Sequence, residues 1–260
     1  MSALPRGLYE NVLTDLLAER LRSHELAGEP KLEKLRDADA ADRLAVHLSW
    51  VIERAIEGFP EKQRASLGAQ LSRTVVETIV RETRVEGLRN ESPQEPPQLL
   101  HALRRHLPDG SLGEIGTPLI PLLDTTLLTN APGEPRVSHQ LLTEIESADA
   151  IDLVMAFIRR SGITPFRERI RRHCEAGRAF RVLTTTYTGS TEAEALDLLR
   201  ELGADVRVSY DTSATRLHAK AWLFHRDSGF STAYVGSSNL THSAQVSGLE
   251  WNVRVSGARN

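Results

Sequence analysis

The chain of 260 residues has one cysteine, Cys174, so no internal disulfide can form and the fold rests on packing and hydrogen bonds. Aromatic residues make up only 5%, which leaves no broad platform for stacking bases. No apolar run approaches the roughly 18 residues of a membrane span, and no N-terminal signal pattern is present. Charge is nearly balanced, at −3, so any nucleic-acid surface must be local. No Cys/His cluster has the spacing of a zinc site. These absences exclude a disulfide scaffold, a helical membrane protein and a uniformly basic binder, and a cytoplasmic location is expected. An apolar content of 40% over this length suffices for one large domain or two small ones.

Two regions with different patterns follow. Residues 1–110 read as a helical N-terminal region. Tyr9, Val12, Leu13, Leu16, Leu17 and Leu21 recur at helical spacing, as do Leu44, Leu48, Val51, Ile52 and Ala55, and then Leu67, Leu71, Val75, Ile79 and Val80. Residues 90–98, with Pro93, Pro96 and Pro97, read as a linker or exposed loop, and a short helix is expected over 99–106. Residues 111–260 read as an α/β domain. Strands are expected at 126–130, 150–157, 180–184 and 205–210, with helices between them. Helix 138–147 turns Leu141, Leu142 and Ile145 inward. Thr164, with Pro165 at the first position, is expected to cap the next helix, and Gly177 to follow its end. Thr191-Glu192-Ala193-Glu194 reads as a capping box, and Gly203 ends that helix. Because the chain stops at Asn260 just after a strand, it is expected to be a fragment of a longer protein.

The chemistry concentrates near the C-terminal end. Residues 217–224 alternate as a strand, which puts His218, Lys220, Trp222 and Phe224 on one face. Arg226-Asp227-Ser228-Gly229 supplies a turn, and 232–235 returns as the second strand of a hairpin. Gly236 lets the backbone approach a ligand, and Ser237, Ser238 and Asn239 bring hydroxyl and amide donors past the strand end. Residues 249–255 alternate again, with Glu250, Asn252 and Arg254 on one face. His218 is thus a candidate nucleophile and Lys220 a fixed cation. Ser237, Ser238 and Asn239 are candidate phosphate donors, and Glu250 an acid that orients an imidazole. A neutral imidazole can attack phosphorus and leave again, so this set calls for no metal and no cofactor.

His218-x-Lys220, then Gly236-Ser237-x-Asn239, then Glu250 eleven residues later, resembles the phospholipase D superfamily. The resemblance implies a phospholipase D-like mixed sheet flanked by helices. It also implies a phosphodiesterase that forms a covalent phosphohistidine without a metal. The family's Asp position falls on His225 here, with Asp227 two places late. Residues 122–255 also resemble the nuclease-like module near the N-terminus of some bacterial superfamily 2 helicases. That likeness is carried by Leu127-Leu128-Thr129-Asn130, Gly133-Glu134-Pro135 and residues 234–241. It implies a helicase domain further along a full-length protein.

The leading expectation is a metal-independent nuclease acting on DNA or RNA. The alternative is a binding or docking module of a helicase that has lost catalysis, which the missing Asp favours. Phospholipid chemistry is disfavoured because no amphipathic membrane segment is evident. His225, on the strand face opposite His218, is expected to be structural, and His242 to be an exposed loop residue. The arginines from Arg159 to Arg181 read either as a track for a nucleic-acid backbone or as a solvated helix face. The mechanism needs two histidines, one to attack and one to protonate the leaving oxygen. Only one His-x-Lys is present, and His24, His47, His101, His106, His139, His173, His225 and His242 lack its companions. A homodimer is therefore expected, the alternatives being a second site in a C-terminal part of a longer protein or His242 as the second imidazole.

Overall fold

The computed structural model describes residue 4 and residues 6–22, 29–104, 106, 109–131, 136–211, 216–246 and 250–257. The chain divides into two compact units, residues 1–101 and residues 102–260.

The first unit is helical, with α1 (Asp15–Arg22), α2 (Asp37–Glu57) and α3 (Arg64–Thr83). The helical periodicity from Tyr9 is realised only from Asp15 onward. Helices α2 and α3 pack where Gly68 lacks a side chain. A Cβ there would stand 3.4 Å from the Ile56 methyl group. Residues 90–98 are not a free linker. Arg73 on α3 donates to the Pro93 carbonyl at 2.7 Å and pairs with the Glu95 carboxylate at 3.0 Å. The helix expected over 99–106 is absent among the described residues. His106 instead forms an isolated bridge to Leu112.

The second unit is built on seven strands: β1 (Thr126–Leu128), β2 (Ala150–Met155), β3 (Ala179–Thr185), β4 (Asp205–Ser209), β5 (Lys220–His225), β6 (Thr232–Gly236) and β7 (Asn252–Ser256). Their order is β1-β7-β6-β5-β2-β3-β4. The pairs β2–β3 and β3–β4 are parallel and the others antiparallel, so the sheet is mixed. The helices are α4 (Val137–Ser147), α5 (Arg160–Ile163), α6 (Arg167–Glu175), α7 (Ala193–Glu201) and α8 (His242–Val246). This is a mixed sheet flanked by helices, preceded along the chain by an all-α region.

One alternation runs through the whole sheet. Ile151 and Leu153 stand opposite Phe180 and Val182 on one side, and opposite Phe224 and Trp222 on the other. Trp222 then faces Tyr234, and Tyr234 faces Arg254. All of these are buried. The crossovers β2-to-β3 and β3-to-β4 are right-handed by rule and lead in the same direction, so their helices cover the same face. The helix-covered face holds the aromatic cluster Phe166, Phe180, Trp222, Phe224 and Tyr234, with ring centres 5.7–6.1 Å apart.

On that face β6 and β7 break the apolar rule. Glu144 of α4, fully buried, accepts from Arg226 Nη2 at 2.5 Å, Arg254 Nε at 2.9 Å, Thr232 Oγ1 at 2.8 Å and Tyr234 Oη at 3.0 Å. The polar alternation of β7 therefore points inward, while Val253 and Val255 face out. Burial alone would raise the Glu144 carboxyl pKa. The two guanidinium groups overcome this and hold it below the usual glutamate range.

Two expected caps are replaced, one by a local bond and one by tertiary bonds. Thr164 Oγ1 donates back to the Arg160 carbonyl at 2.9 Å, so 164–166 forms a separate turn between α5 and α6. Thr191 does not cap α7. Its hydroxyl donates to the Ala156 carbonyl at 3.3 Å and accepts from the Ile158 amide at 3.4 Å. Gly203 does end α7, with φ at +98°, where a side chain would be strained.

Candidate functional site

The strand registers put the sequence-predicted residues at one end of the sheet. Met155, the last residue of β2, lies opposite Lys220, the first of β5. Continuing the β5–β6 register by one step sets Lys220 opposite Gly236, and Gly236 pairs with Asn252, the first residue of β7. His218, Ser237, Ser238, Asn239 and Glu250 all lie just beyond that row. The expected strands are shorter here: β5 begins at Lys220 and β7 at Asn252, so His218 and Glu250 occupy approach segments. Leu249 and Gly133-Glu134-Pro135 lie outside the described residues.

Gly236 is where the backbones come closest. A Cβ there would lie 2.1 Å from the Trp251 carbonyl and 2.6 Å from Asn252 Oδ1, so only glycine fits. Gly162 has the same role on α5, where a Cβ would lie 2.1 Å from the Leu240 carbonyl. Leu240 also receives and gives backbone bonds, to Phe157 O at 3.1 Å and from Arg159 N at 2.9 Å. The Ser237–Leu240 turn is therefore clamped between β7 and the segment that follows β2.

Lys220 Nζ lies 3.2 Å from His218 Nδ1 and 3.4 Å from Nε2, and donates to the His218 carbonyl at 3.1 Å. Phe157 stands edge-on to the imidazole with ring centres 5.6 Å apart, and limits how the ring can turn. Burial lowers the Lys220 pKa, and the Glu250 charge partly restores it. Lys220 and Glu250 are thus electrostatically coupled across the hairpin. Ser237 Oγ donates to Glu250 Oε2 and accepts from the Trp251 amide at 3.1 Å. Glu250 is held by Ser237 rather than by a histidine ring.

Ser238 is turned inward. Its buried hydroxyl accepts from Asn252 Nδ2 at 2.7 Å, so it fixes the turn instead of standing at the surface with Ser237. Asn239 is half-buried, and its buried Oδ1 has no hydrogen-bond partner among the described residues. An amide flip would put an NH₂ donor in that position, so this side chain has unused hydrogen-bonding capacity among the described residues. The geometry brings together His218, Lys220, Ser237, Asn239 and Glu250, and places Ser238 behind them.

His225 lies at the opposite end of β5. Its Nε2 is 2.8 Å from Asp152 Oδ2, and Asp152 also accepts from Arg181 Nε at 2.5 Å and Nη2 at 2.8 Å. Arg181 and His225 hold the Asp152 carboxyl below its usual pKa against the opposing effect of burial. His242 is exposed at the start of α8. The side chains of five of the eight arginines of the stretch have partners in the structure. Arg169 pairs with Glu146, Arg171 and Arg172 with Glu168, and Arg181 with Asp152. Arg178 donates to the carbonyls of Glu146 and Ala148, at the sheet end away from His218.

Sequence reasoning passed over Phe157, Asn252 as the partner of Ser238, and Arg216. Arg216 carried a signal, since it continues the two-residue spacing of His218 and Lys220 one step back.

Residues 141–259 match the family model described as cardiolipin synthase, PLD-like domain, a span that contains every site residue named above. No curated protein matches the chain. Among solved structures the chain is similar to Nuc from Salmonella typhimurium, a phospholipase D family member, at 17% identity over 52% of this chain and 83% of that one, with TM-score 0.41. It is similar to NucT from Helicobacter pylori at 14% identity over 52% and 87%, with TM-score 0.42. It is also similar to the polyphosphate kinase from Porphyromonas gingivalis at 16% identity over 52% and 24%, with TM-score 0.40.

Proposed function

We propose that the second unit is a phosphodiesterase that cleaves DNA or RNA through a covalent phosphohistidine. The observation that carries this reading is the meeting of His218, Lys220, Ser237, Asn239 and Glu250 at one sheet end, inside the span that matches the PLD-like domain model. An unprotonated His218 nitrogen attacks phosphorus and forms an N–P bond as the P–O bond to the leaving strand breaks. A second imidazole gives the leaving oxygen its proton. Water then attacks the phosphohistidine, loses a proton to that second imidazole, and frees His218. Lys220 and Asn239 stabilise the charge that develops on the phosphoryl oxygens. Glu250 fixes Ser237 and sustains the Lys220 charge. With one His-x-Lys per chain, the second imidazole comes from a second copy. A helicase domain in a longer protein is the context in which this unit would act.

The test is cleavage of labelled DNA and RNA in excess chelator. The expected result is that activity survives and that His218→Ala removes it by several orders of magnitude, on the order of the loss seen for other nucleophiles. Strict dependence on added metal would overturn the mechanism. Mixing wild-type and His218→Ala chains separates the oligomeric claim. Activity should fall as the square of the wild-type fraction, whereas a linear fall means that each chain acts alone. The second reading, a nucleic-acid-binding module without catalysis, is favoured by His225 at the family's Asp position and predicts binding without turnover.

A further inference from the structure

Tyr187 and Arg216 belong to no part of the phosphate-handling set, yet they stand at the same end of the sheet. Tyr187 opens the turn after β3, whose last residue, Thr185, is paired with Ser209 at the end of β4. Its position is fixed. The Tyr187 amide donates to Thr185 Oγ1 at 3.1 Å, and Thr185 Oγ1 donates to the Ser209 carbonyl at 3.0 Å. The far side of the same loop is tied down by Thr191, bonded to Ala156 and Ile158. Ala156 in turn donates to the Ala219 carbonyl at 2.9 Å, beside His218. The loop and the candidate nucleophile are therefore braced against one segment.

Arg216 lies two residues before His218. Its guanidinium carbon is 5.3 Å from the centre of the Tyr187 ring, and its Nη1 donates to Tyr187 Oη at 3.5 Å. Among the described residues no carboxylate pairs with the Arg216 guanidinium, whose hydrogen bond goes to the Tyr187 hydroxyl, so its charge can meet an anion. Arg216 is exposed and Tyr187 half-buried. A planar fork with fixed donors suits a phosphate, and a ring held by a cation presents a flat apolar surface beside it. One aromatic surface and one guanidinium, next to a phosphodiester-cleaving centre, fit the two recognisable parts of a nucleotide. A lipid headgroup would use only the cation.

We propose that Tyr187 and Arg216 form a subsite for the nucleotide next to the scissile phosphate, with its base against the Tyr187 ring and its phosphate on Arg216. The proposal rests on the phosphodiesterase reading, so its test is independent of turnover. A fluorescently labelled single-stranded oligonucleotide is titrated into the His218→Ala chain by anisotropy. The same is done after adding Tyr187→Ala, Tyr187→Phe or Arg216→Ala, with each fold checked by circular dichroism. Tyr187→Ala should weaken binding on the order of tenfold, as loss of one stacked base does, and Tyr187→Phe should retain most of it. Arg216→Ala should weaken binding and reduce the slope of log affinity against log salt by about 0.7, one phosphate contact on a single strand. Unchanged affinity and slope in both alanine variants, absence of oligonucleotide binding, or equal binding losses for vesicles of anionic phospholipid would overturn the proposal. A wild-type chain that binds in this way but never cleaves would overturn the catalytic reading and leave the subsite standing.

Discussion

Glu144 and Arg254 form a fully buried ion pair, with Arg254 Nε 2.9 Å from Glu144 Oε1 and neither side chain exposed to solvent. Arg226 shares the same carboxylate. One negative and two positive charges are thus enclosed, and Arg254 discharges part of the excess onto the carbonyls of Pro121 and Asp124. The network joins α4, the β5–β6 turn and β7, so it holds the strands that carry the site in mutual register.

Glu144→Leu should destabilise the second unit by about 3–5 kcal/mol, because two guanidinium groups lose their counter-ion while still buried. Urea denaturation followed by circular dichroism measures it. A triple replacement of Glu144, Arg226 and Arg254 with Leu, Met and Met should recover much of the loss. A single-variant loss below about 1 kcal/mol would show that the arginines find other partners.

On the proposed mechanism, Lys220 should set the alkaline limit of phosphate binding. Its folded-state pKa is lowered by burial and supported by Glu250, so removing that carboxylate lowers it further. On that mechanism the lysine would bind a phosphoryl group in its charged form, which is lost as pH rises through this pKa. The alkaline limb of kcat/KM in Glu250→Gln should therefore move to lower pH than in wild type. A limb that stays in place would separate Glu250 from Lys220.

Gly236→Ala and Gly162→Ala should each be destabilising by at least about 1–3 kcal/mol, since the new methyl group overlaps a backbone carbonyl that cannot swing aside. Thermal melts of both variants test this. Gly87→Ala is the control, because nothing lies within 4 Å of its Cβ position. Equal behaviour of all three would refute the tight clamp on the Ser237–Leu240 turn.

Placing at position 225 the Asp that the phospholipase D resemblance implies should not improve cleavage. His225→Asp would place a carboxylate where the imidazole now meets Asp152, and two negative charges would then share Arg181. The expected outcome is no gain in cleavage and a loss of stability within about 1 kcal/mol, since Arg181 is exposed and His225 half-exposed. A clear gain in kcat would mean that the missing Asp limits catalysis.

Sequence periodicity located the sheet well because nearly every strand alternates between a buried and an open face. Strand β7 shows why the alternation alone did not reveal which side was inward. Its polar residues, Asn252 and Arg254, are the buried ones, and only their distant partners, Ser238 and Glu144, make that tolerable. The Thr191 cap failed for the same reason, while Thr164 bonded locally to the Arg160 carbonyl. Thr164 and Thr191 have local sequence that suits capping, but Thr191 is claimed by Ala156 and Ile158, contacts more than 30 residues away. Lys220 and His218 were legible as neighbours from their spacing. The inward turn of Ser238 and the Ser237–Glu250 bond were not, because they depend on how closely Gly236 lets β7 approach.

The hairpin of β5 and β6 separates two kinds of tolerance. Its open end carries the candidate chemistry, while Ser228 and Gly229 sit exposed at its closed end, with Gly229 in the left-handed region at φ +85°. Five or six extended residues place those ends about 17–20 Å apart. A tag, fluorophore or surface linkage introduced at Ser228 would thus immobilise or report on the protein from the far side, with the candidate site facing the solution.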